Sequence, residues 1–357
     1  MLHAVIMAGG SGTRFWPQSR QKLPKQLLRL YGDRTMIQQT LDRCGDLVQP
    51  AQSWVVTNAV QAAATADQLP AVPRGNVLVE PAARNTAPCV GLAAIHALKA
   101  DPDAILFVMP ADHVIAPPEV FQQAARQAVD VVEQDPDRLV LFGIPPGFPA
   151  TGYGYIERAD ELSGQQGVYE VASFREKPDQ PTAQQYIDSG SFYWNCGIFC
   201  WKAETILRHL QEQEPETHQR LLKIGEAIGT ETYEDVLQAE FPQMNSISID
   251  YAVLERATGV TVIEAPFEWD DVGSWLAVAR LSDADEHGNT ADGKVVTVDA
   301  SNNIIRTTDQ HLVAALGVED LIIVHTPDAT MVARREDSER VKQILEQLKH
   351  RGDTQYL

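Results

Sequence analysis

Cysteine is scarce in this chain, long apolar runs are missing, and positive charge is in short supply. The four cysteines, at 44, 89, 196 and 200, are scattered over 357 residues, which excludes a small disulfide-stapled fold. Cys196 and Cys200 stand four apart in a strand-like run, an awkward spacing for two ligands of one metal, so all four read as reduced thiols in or near the core. No apolar run approaches the roughly 20 residues that a membrane helix needs. Met1 leads directly into a strand-like run without a basic, apolar leader, and a cytoplasmic location is expected. Lysine and arginine number 29 against 49 aspartates and glutamates, a net charge of −20. That balance argues against nucleic acid or anionic membrane as a partner. It also means that a phosphorylated ligand must be met by a few local cations, with a divalent metal beside them.

What the chain does have begins at its front. Ala4-Val5-Ile6-Met7 reads as a strand and runs into Ala8-Gly9-Gly10-Ser11-Gly12-Thr13-Arg14-Phe15-Trp16-Pro17, with Pro24-Lys25 a little further on. Three glycines in four residues let backbone N–H groups turn toward one anion, because glycine tolerates the left-handed angles required. Arg14 adds a forked donor and Lys25 a point charge, the combination a triphosphate needs. The spacing is neither the G-x-G-x-x-G of dinucleotide folds nor the G-x-x-x-x-G-K-[ST] of P-loops. Gly288 to Lys294 imitates the first seven positions of a P-loop, but Val295 replaces the Ser/Thr and a strand pattern follows, so no phosphate is expected there.

Strand-like runs at 2–8, 53–57, 76–80, 104–109 and 138–144 alternate with helical spacing at 35–48, 58–68, 86–100 and 118–134. This alternation predicts an α/β fold with a parallel, doubly wound sheet that binds ligands beyond the carboxyl ends of its strands. Gly9 to Arg14, Glu80 to Thr86 and Asp112 all follow such ends, as if converging on one crevice. From 150 to 285, strands at 153–157, 168–175, 195–201 and 260–266 mix with helices near 182–189, 203–213 and 249–257. Short β-rich runs, Val295–Val298, Ile304–Ile305, Leu312–Ala315 and Leu321–His325, precede a closing helix from Glu336 to Lys349. The domains are expected at 1–285 and 286–357.

Further motifs complete the pattern: Glu80-Pro81-Ala82-Ala83-Arg84-Asn85-Thr86-Ala87-Pro88, Pro110-Ala111-Asp112-His113, Gly152-Tyr153-Gly154-Tyr155-Ile156 and Phe174-Arg175-Glu176-Lys177-Pro178. Asn195-Cys196-Gly197-Ile198-Phe199, Ser248-Ile249-Asp250-Tyr251-Ala252 and Trp269-Asp270-Asp271-Val272-Gly273-Ser274-Trp275 follow. With these, the chain resembles the sugar-1-phosphate nucleotidyltransferases from about residue 3 to 350, and most of all the mannose-1-phosphate guanylyltransferases (GDP-mannose pyrophosphorylases). The glycine signature, E-K-P and W-x-D-x-G are family-wide, while E-P-x-x-R-N-T-A-P points to the mannose, guanine branch.

The resemblance implies a Rossmann-like nucleotidyltransferase fold with a mixed, mostly parallel sheet and a short left-handed β-helix at the C-terminus. It implies transfer of GMP from GTP to mannose 1-phosphate, giving GDP-mannose and pyrophosphate. Arg14 would hold the β- and γ-phosphates and Lys25 the charge at the transferring phosphorus, beside Ala8, Gly9, Gly10, Ser11, Gly12 and Thr13. Asp112 and Asp271 would bind Mg²⁺, with Asp271 preferred over Asp270 because the family's carboxylate stands two residues after the tryptophan. Each aspartate alone reads equally as a cap or turn former. His113 reads as structural, since an ionised phosphate needs no general base.

Glu80 and Asn85 are the candidates for reading guanine, although Glu80-Pro81 reads equally as a strand exit. Arg84 is expected near phosphate or a carboxylate, and Thr86 is expected at the cap of a helix beginning at Ala87. Lys177 would meet the sugar phosphate, while Gly152 and Gly154 admit the hexose and Glu176, Asn195 and Asp250 bond to it. Trp16, Trp194, Trp269 and Trp275 read as packing. A homodimer is compatible with the resemblance. The isomerase domain that some relatives add is not expected, nor is phosphomannose isomerase activity.

Overall fold

Strand β1 (Leu2–Met7) is apolar toward both faces, and Ala4, Val5 and Ile6 are wholly buried, which suits a central position in a sheet covered on both sides. The computed structural model describes residues 1–10 and 12–357, and two units emerge. The first comprises Met1–Gly9, Thr40–Ala111 and Ile115–Trp269; the second comprises Gly10–Gln39, Asp112–Val114 and Asp270–Leu357.

In the first unit, β1 is joined by β2 (Ser53–Asn58), β3 (Val77–Glu80) and β4 (Ile105–Pro110). Short β5 (Val114–Ala116) precedes β6 (Leu139–Ile144), β7 (Gly154–Glu161), β8 (Val168–Glu176), β9 (Phe192–Lys202), β10 (Val260–Glu264) and short β11 (Glu268–Asp270). The nine-stranded order is β3-β2-β1-β4-β9-β6-β10-β8-β7. The first four strands are parallel, with Ile6 opposite Val55 and Met109, and Val56 opposite Leu78. The parallel run expected through residue 144 stops at β4. Strand β9 inserts antiparallel between β4 and β6, placing Cys200 opposite both Phe107 and Val140. Its sequence FYWNCGIFCWK is apolar on both faces and so fits a central slot. Only β10 continues parallel beside β6, and the sheet is mixed.

The helices are α1 (Met36–Asp42), α2 (Ala62–Gln68), α3 (Thr86–Ala100), α4 (Pro118–Gln134), α5 (Gln180–Ser189), α6 (Ala203–Gln213), α7 (Pro215–Ala227) and α8 (Tyr233–Glu240). Alternate residues of β4 face opposite layers. Leu106 and Val108 share a core with α3, α6 and α7, while Phe107 meets Phe121 of α4 edge-on at 5.6 Å. Helices therefore cover both faces. All four cysteines are buried and reduced, and burial pushes the Cys196 thiol up to about 12.

Three helix expectations need correction. The run 35–48 holds only α1, since Gly45 turns left-handed at φ 54°. The run 58–68 starts late because the Asn58 side chain accepts from the Val60 and Gln61 N–H groups, forming a turn. The run 249–257 contracts to a π-turn over Asp250–Leu254. Helices α7 and α8 arise in a stretch where no element was expected.

The second unit gathers α9 (Trp275–Arg280) and strands β12 (Thr290–Asp292), β13 (Lys294–Val298), β14 (Ile304–Arg306), β15 (Leu312–Leu316), β16 (Leu321–Thr326) and β17 (Ala329–Arg334), then α10 (Val341–Arg351). Parallel ladders run β12-β14-β16 and β13-β15, the stacking of a β-helix, with β17 closing antiparallel on β16. Buried Asn303 accepts from the Leu321 N–H and donates to Asn289, pinning successive coils. Lys294 opens a strand where a P-loop would open a helix. The closing helix begins at Val341, after a 3₁₀ turn over Arg335–Arg340. Ile304, Ile322, Val324 and Val341 share one core with Phe15, Trp16 and Trp275. Among the described residues, no helix is long and apolar enough to cross a membrane.

Candidate active site

In the second unit, the glycine loop and the C-terminal residues enclose a cavity of about 330 Å³. Gly12 adopts φ 57° and starts a 3₁₀ turn over Thr13–Phe15, whose first bond runs from the Phe15 N–H to the Gly12 carbonyl at 3.1 Å. Phe15 is buried edge-on against Trp275 at 5.1 Å, and this apolar contact anchors the turn so that Thr13 and Arg14 line the cavity. The Gln26 amide donates to the Gly10 carbonyl at 3.1 Å and holds the loop from its other side. Ser11 lies outside the described residues.

Lys25 is the pivot of this cavity. It is only 5% exposed, and burying an ammonium is costly unless it is paired. Its Nζ donates to Asp112 Oδ2 at 2.8 Å and to the Asp271 carbonyl at 2.6 Å, and lies 5.9 Å above the Phe15 ring. Burial alone would raise the Asp112 carboxyl, but the charges of Lys25 and His113 outweigh it and hold the group below its ordinary range. His113 Nε2 lies 3.9 Å from Asp112 Oδ1.

The two adjacent aspartates separate clearly. Asp270 accepts from the Val272 N–H at 2.7 Å and pairs with Arg280 at 2.9 Å, a turn former, whereas Asp271 lines the cavity. Between them and Gly273, Val272 is held at φ 46°, a costly conformation for a β-branched residue. Arg14 reaches the Gly273 carbonyl at 3.3 Å and pairs with Glu339 at 2.9 Å. Among the described residues, no three or more His, Cys, Asp or Glu side chains form a metal cage. Two carboxylates lining one cavity fit Mg²⁺, which commonly takes one or two carboxylates plus substrate phosphates.

A second group of predicted residues comes together in the first unit. Asn195 donates to Asp250 at 2.9 Å, and Lys177 pairs with Glu176. A Cβ on Gly154 would stand 2.5 Å from Glu176 Oε2 and 3.4 Å from the Asn195 Cβ, so any side chain there would push the Glu176 carboxylate aside. Burial raises the Asp250 carboxyl to about 6, helped by the neighbouring charge of Glu176. For Lys177, burial acts downward but Glu176 and Asp250 prevail and raise it. Lys177 sits at φ 47°, another outlier that marks a site motif. At Gly152 a Cβ would meet open space.

Glu80 ends β3 as a 9% exposed carboxylate whose Oε1 has no hydrogen-bond partner. Burial raises it to about 7. A Cβ on Gly9 would lie 3.4 Å from its Oε2. Ala8 donates its N–H to the Val56 carbonyl at 2.8 Å, so that N–H serves the sheet and not a phosphate. Asn85, at φ 66° and ψ −168°, is itself the cap of α3 and accepts from the Thr86 N–H, correcting the expected cap. Thr86 instead accepts from the Ile249 N–H at 2.8 Å, tying α3 to the turn that carries Asp250. Arg84 donates to the Pro242 carbonyl. Trp16 and Trp275 pack in the core, and Trp194 is buried against Tyr153 at 5.2 Å.

Sequence reasoning missed Glu339 and Lys342, both beside the loop cavity. They lie more than three hundred residues from Arg14, on an amphipathic segment with no motif of its own, and no spacing could have found them.

Comparison with known proteins accords with this geometry. The family described as nucleotidyl transferase matches residues 3–288, and the MannoseP isomerase/GMP-like beta-helix domain matches 293–348. The chain is 39% identical to mannose-1-phosphate guanylyltransferase 2 of Escherichia coli O157:H7, over 99% of this chain and 75% of that one. It is 39% identical to mannose-1-phosphate guanylyltransferase of Klebsiella pneumoniae, over 100% of this chain and 76% of that one. The crystal structure of a Thermus thermophilus protein named mannose-1-phosphate geranyltransferase matches with a TM-score of 0.88 at 30% identity, covering 98% of this chain and 99% of that one. The chain belongs to the nucleotidyl transferase family, in its mannose-1-phosphate guanylyltransferase branch.

Proposed function

We propose that this chain transfers GMP from GTP to α-D-mannose 1-phosphate, forming GDP-mannose and pyrophosphate. The observation that carries the reading is Lys25, buried and held between Asp112 and the Asp271 carbonyl in the cavity that Arg14 and the glycine loop also line. An ammonium has three N–H donors; two are used on the protein, and the third is left for a phosphate oxygen.

An oxygen of mannose 1-phosphate attacks the α-phosphorus of GTP. The bond from that phosphorus to the bridging oxygen breaks, and pyrophosphate leaves with the electron pair. The nucleophile is already ionised, so the protein's work is positioning and charge neutralisation. Lys25 meets charge at the transferring phosphoryl group, and the Arg14 fork meets the leaving phosphates. Asp112 and Asp271 are the residues that would hold Mg²⁺, which when bound supplies Lewis-acid neutralisation between phosphates.

Glu80 suits guanine because its unpaired, buried carboxylate can accept from the base's N1–H and 2-amino group. Asn195, Asp250 and Glu176 suit sugar hydroxyls, and Lys177 the sugar phosphate. Val296, Val298, Leu312 and Leu316 are at least 49% exposed, and they share the outward face of the β13–β15 ladder. An apolar strip of this kind supports a homodimer, and light scattering after chromatography reads the mass directly.

Incubation with GTP labelled at the α-phosphorus tests the reaction. Label should pass into GDP-mannose only when mannose 1-phosphate is present, and label remaining in GTP would refute the reading.

A further inference from the structure

Two residues of the C-terminal segment meet the glycine loop: Lys342 lines the same cavity, and Glu339 pairs with Arg14, which also lines it. We propose that this segment completes the subsite for the leaving phosphates: Lys342 binds the β,γ end of the nucleoside triphosphate, and Glu339 holds Arg14 until phosphate displaces it. The inference rests on the nucleotidyl-transfer reading above.

Charge bookkeeping in the cavity carries the argument. Its lining includes Arg14, Lys25 and Lys342 against Asp112 and Asp271. Lys25 is paired with Asp112 at 2.8 Å, and Arg14 with Glu339 at 2.9 Å. Lys342 lines the cavity and makes no ion pair among the described residues. A polyphosphate entering an acidic protein needs more positive charge than a paired Lys25 and a paired Arg14 supply.

The Arg14–Glu339 pair is built to exchange. Its side chains are 40% and 61% exposed, and a solvent-screened pair of this kind is weak. A phosphate offers the arginine fork a charge-assisted, bidentate partner in its place. The segment itself is fixed, not loose. Val341, between the two residues, is 2% exposed in the core that also holds Phe15 and Trp275. Trp16 Nε1 donates to the Tyr356 carbonyl at 2.8 Å and ties the segment's end to the glycine loop's turn. Lys342 and Glu339 are therefore held beside Arg14 before any ligand arrives.

The test uses the full-length chain with Lys342→Gln, Lys342→Arg and Glu339→Gln. GDP-mannose lacks the departing phosphates, so it separates this subsite from the rest of the nucleotide. Lys342→Gln should raise KM for GTP, and for pyrophosphate in the reverse reaction, by about tenfold, and Lys342→Arg should restore most of the loss. Affinity for GDP-mannose and KM for mannose 1-phosphate should stay within about twofold. Glu339→Gln should lower KM for GTP, because it frees Arg14. Unchanged values for GTP and pyrophosphate in Lys342→Gln, or equal weakening of GDP-mannose, would overturn the proposal; an unchanged or raised KM for GTP in Glu339→Gln would overturn the holding role. Calorimetric titration of inorganic pyrophosphate measures the subsite without turnover. A wild-type chain that binds pyrophosphate through Lys342 yet makes no GDP-mannose would refute the transfer reading and leave the subsite standing.

Discussion

A Cβ on Gly12 would lie 2.4 Å from the Cβ of Lys25 and 2.5 Å from its backbone nitrogen. The glycine loop and the buried lysine thus touch through backbone, and neither can yield without moving the other. Gly12→Ala should displace Lys25 and, by analogy with misplacements of about 1 Å, lower kcat/KM about 100-fold. The left-handed φ adds a stability loss of roughly 1–2 kcal/mol. Steady-state kinetics and thermal unfolding check the two effects separately; near wild-type kinetics would mean that Lys25 does not act where it is held.

Asp112→Asn and Asp271→Asn should both raise the Mg²⁺ concentration needed for half-maximal rate, and chelation should abolish turnover. Asp112→Asn should also perturb the fold, because it leaves the buried Lys25 ammonium without its carboxylate. Asp271→Asn keeps the backbone carbonyl that Lys25 uses, so its stability should change little. Metal titration together with melting curves distinguishes the two.

Glu80 should make recognition of guanine depend on pH. Burial raises this group to about 7, and only the ionised form can accept two N–H bonds. KM for GTP should therefore be about tenfold higher at pH 6 than at pH 8, following the ionised fraction, and Glu80→Gln should flatten that profile. The stability sign runs the other way. An acid whose folded value is raised favours the fold below its ordinary value of 4.5 and loses that advantage as pH climbs to about 7. Ligand-free Glu80→Gln should thus gain stability relative to wild type as pH rises over that window.

Lys177→Ala should raise KM for mannose 1-phosphate by about tenfold with a smaller effect on GTP. Asn195→Ala should do likewise and further perturb the titration of Asp250, its hydrogen-bond partner at 2.9 Å. An unchanged KM for the sugar phosphate in Lys177→Ala would move that role to another cation.

Much of the fold and of the candidate site is legible in the sequence, because chemistry at strand ends leaves local marks. Gly9 to Arg14, Glu176-Lys177 and Asn195 each stand in a short motif, and β1 to β4 follow from apolar runs of the right length. Long-range order is less visible. Nothing in the run 192–202 says that it inserts antiparallel between β4 and β6, since a strand that is apolar on both faces fits either direction. Helices α7 and α8 escape notice where charged residues interrupt the apolar spacing. The cap of α3 falls one residue from its expected place, because Asn85 adopts a conformation that propensity does not favour. Glu339 and Lys342 are brought to the loop cavity by core packing through Val341, which no local pattern encodes.

The most direct measurement is pyrophosphate release with Mg²⁺ across four nucleoside triphosphates paired with mannose, glucose and galactose 1-phosphates. A single maximum is expected at GTP with mannose 1-phosphate. A maximum at another pair would contradict the assignment of guanine to Glu80 and of mannose to the Glu176–Asn195–Asp250 group, and silence across the whole grid would contradict the transfer reaction itself.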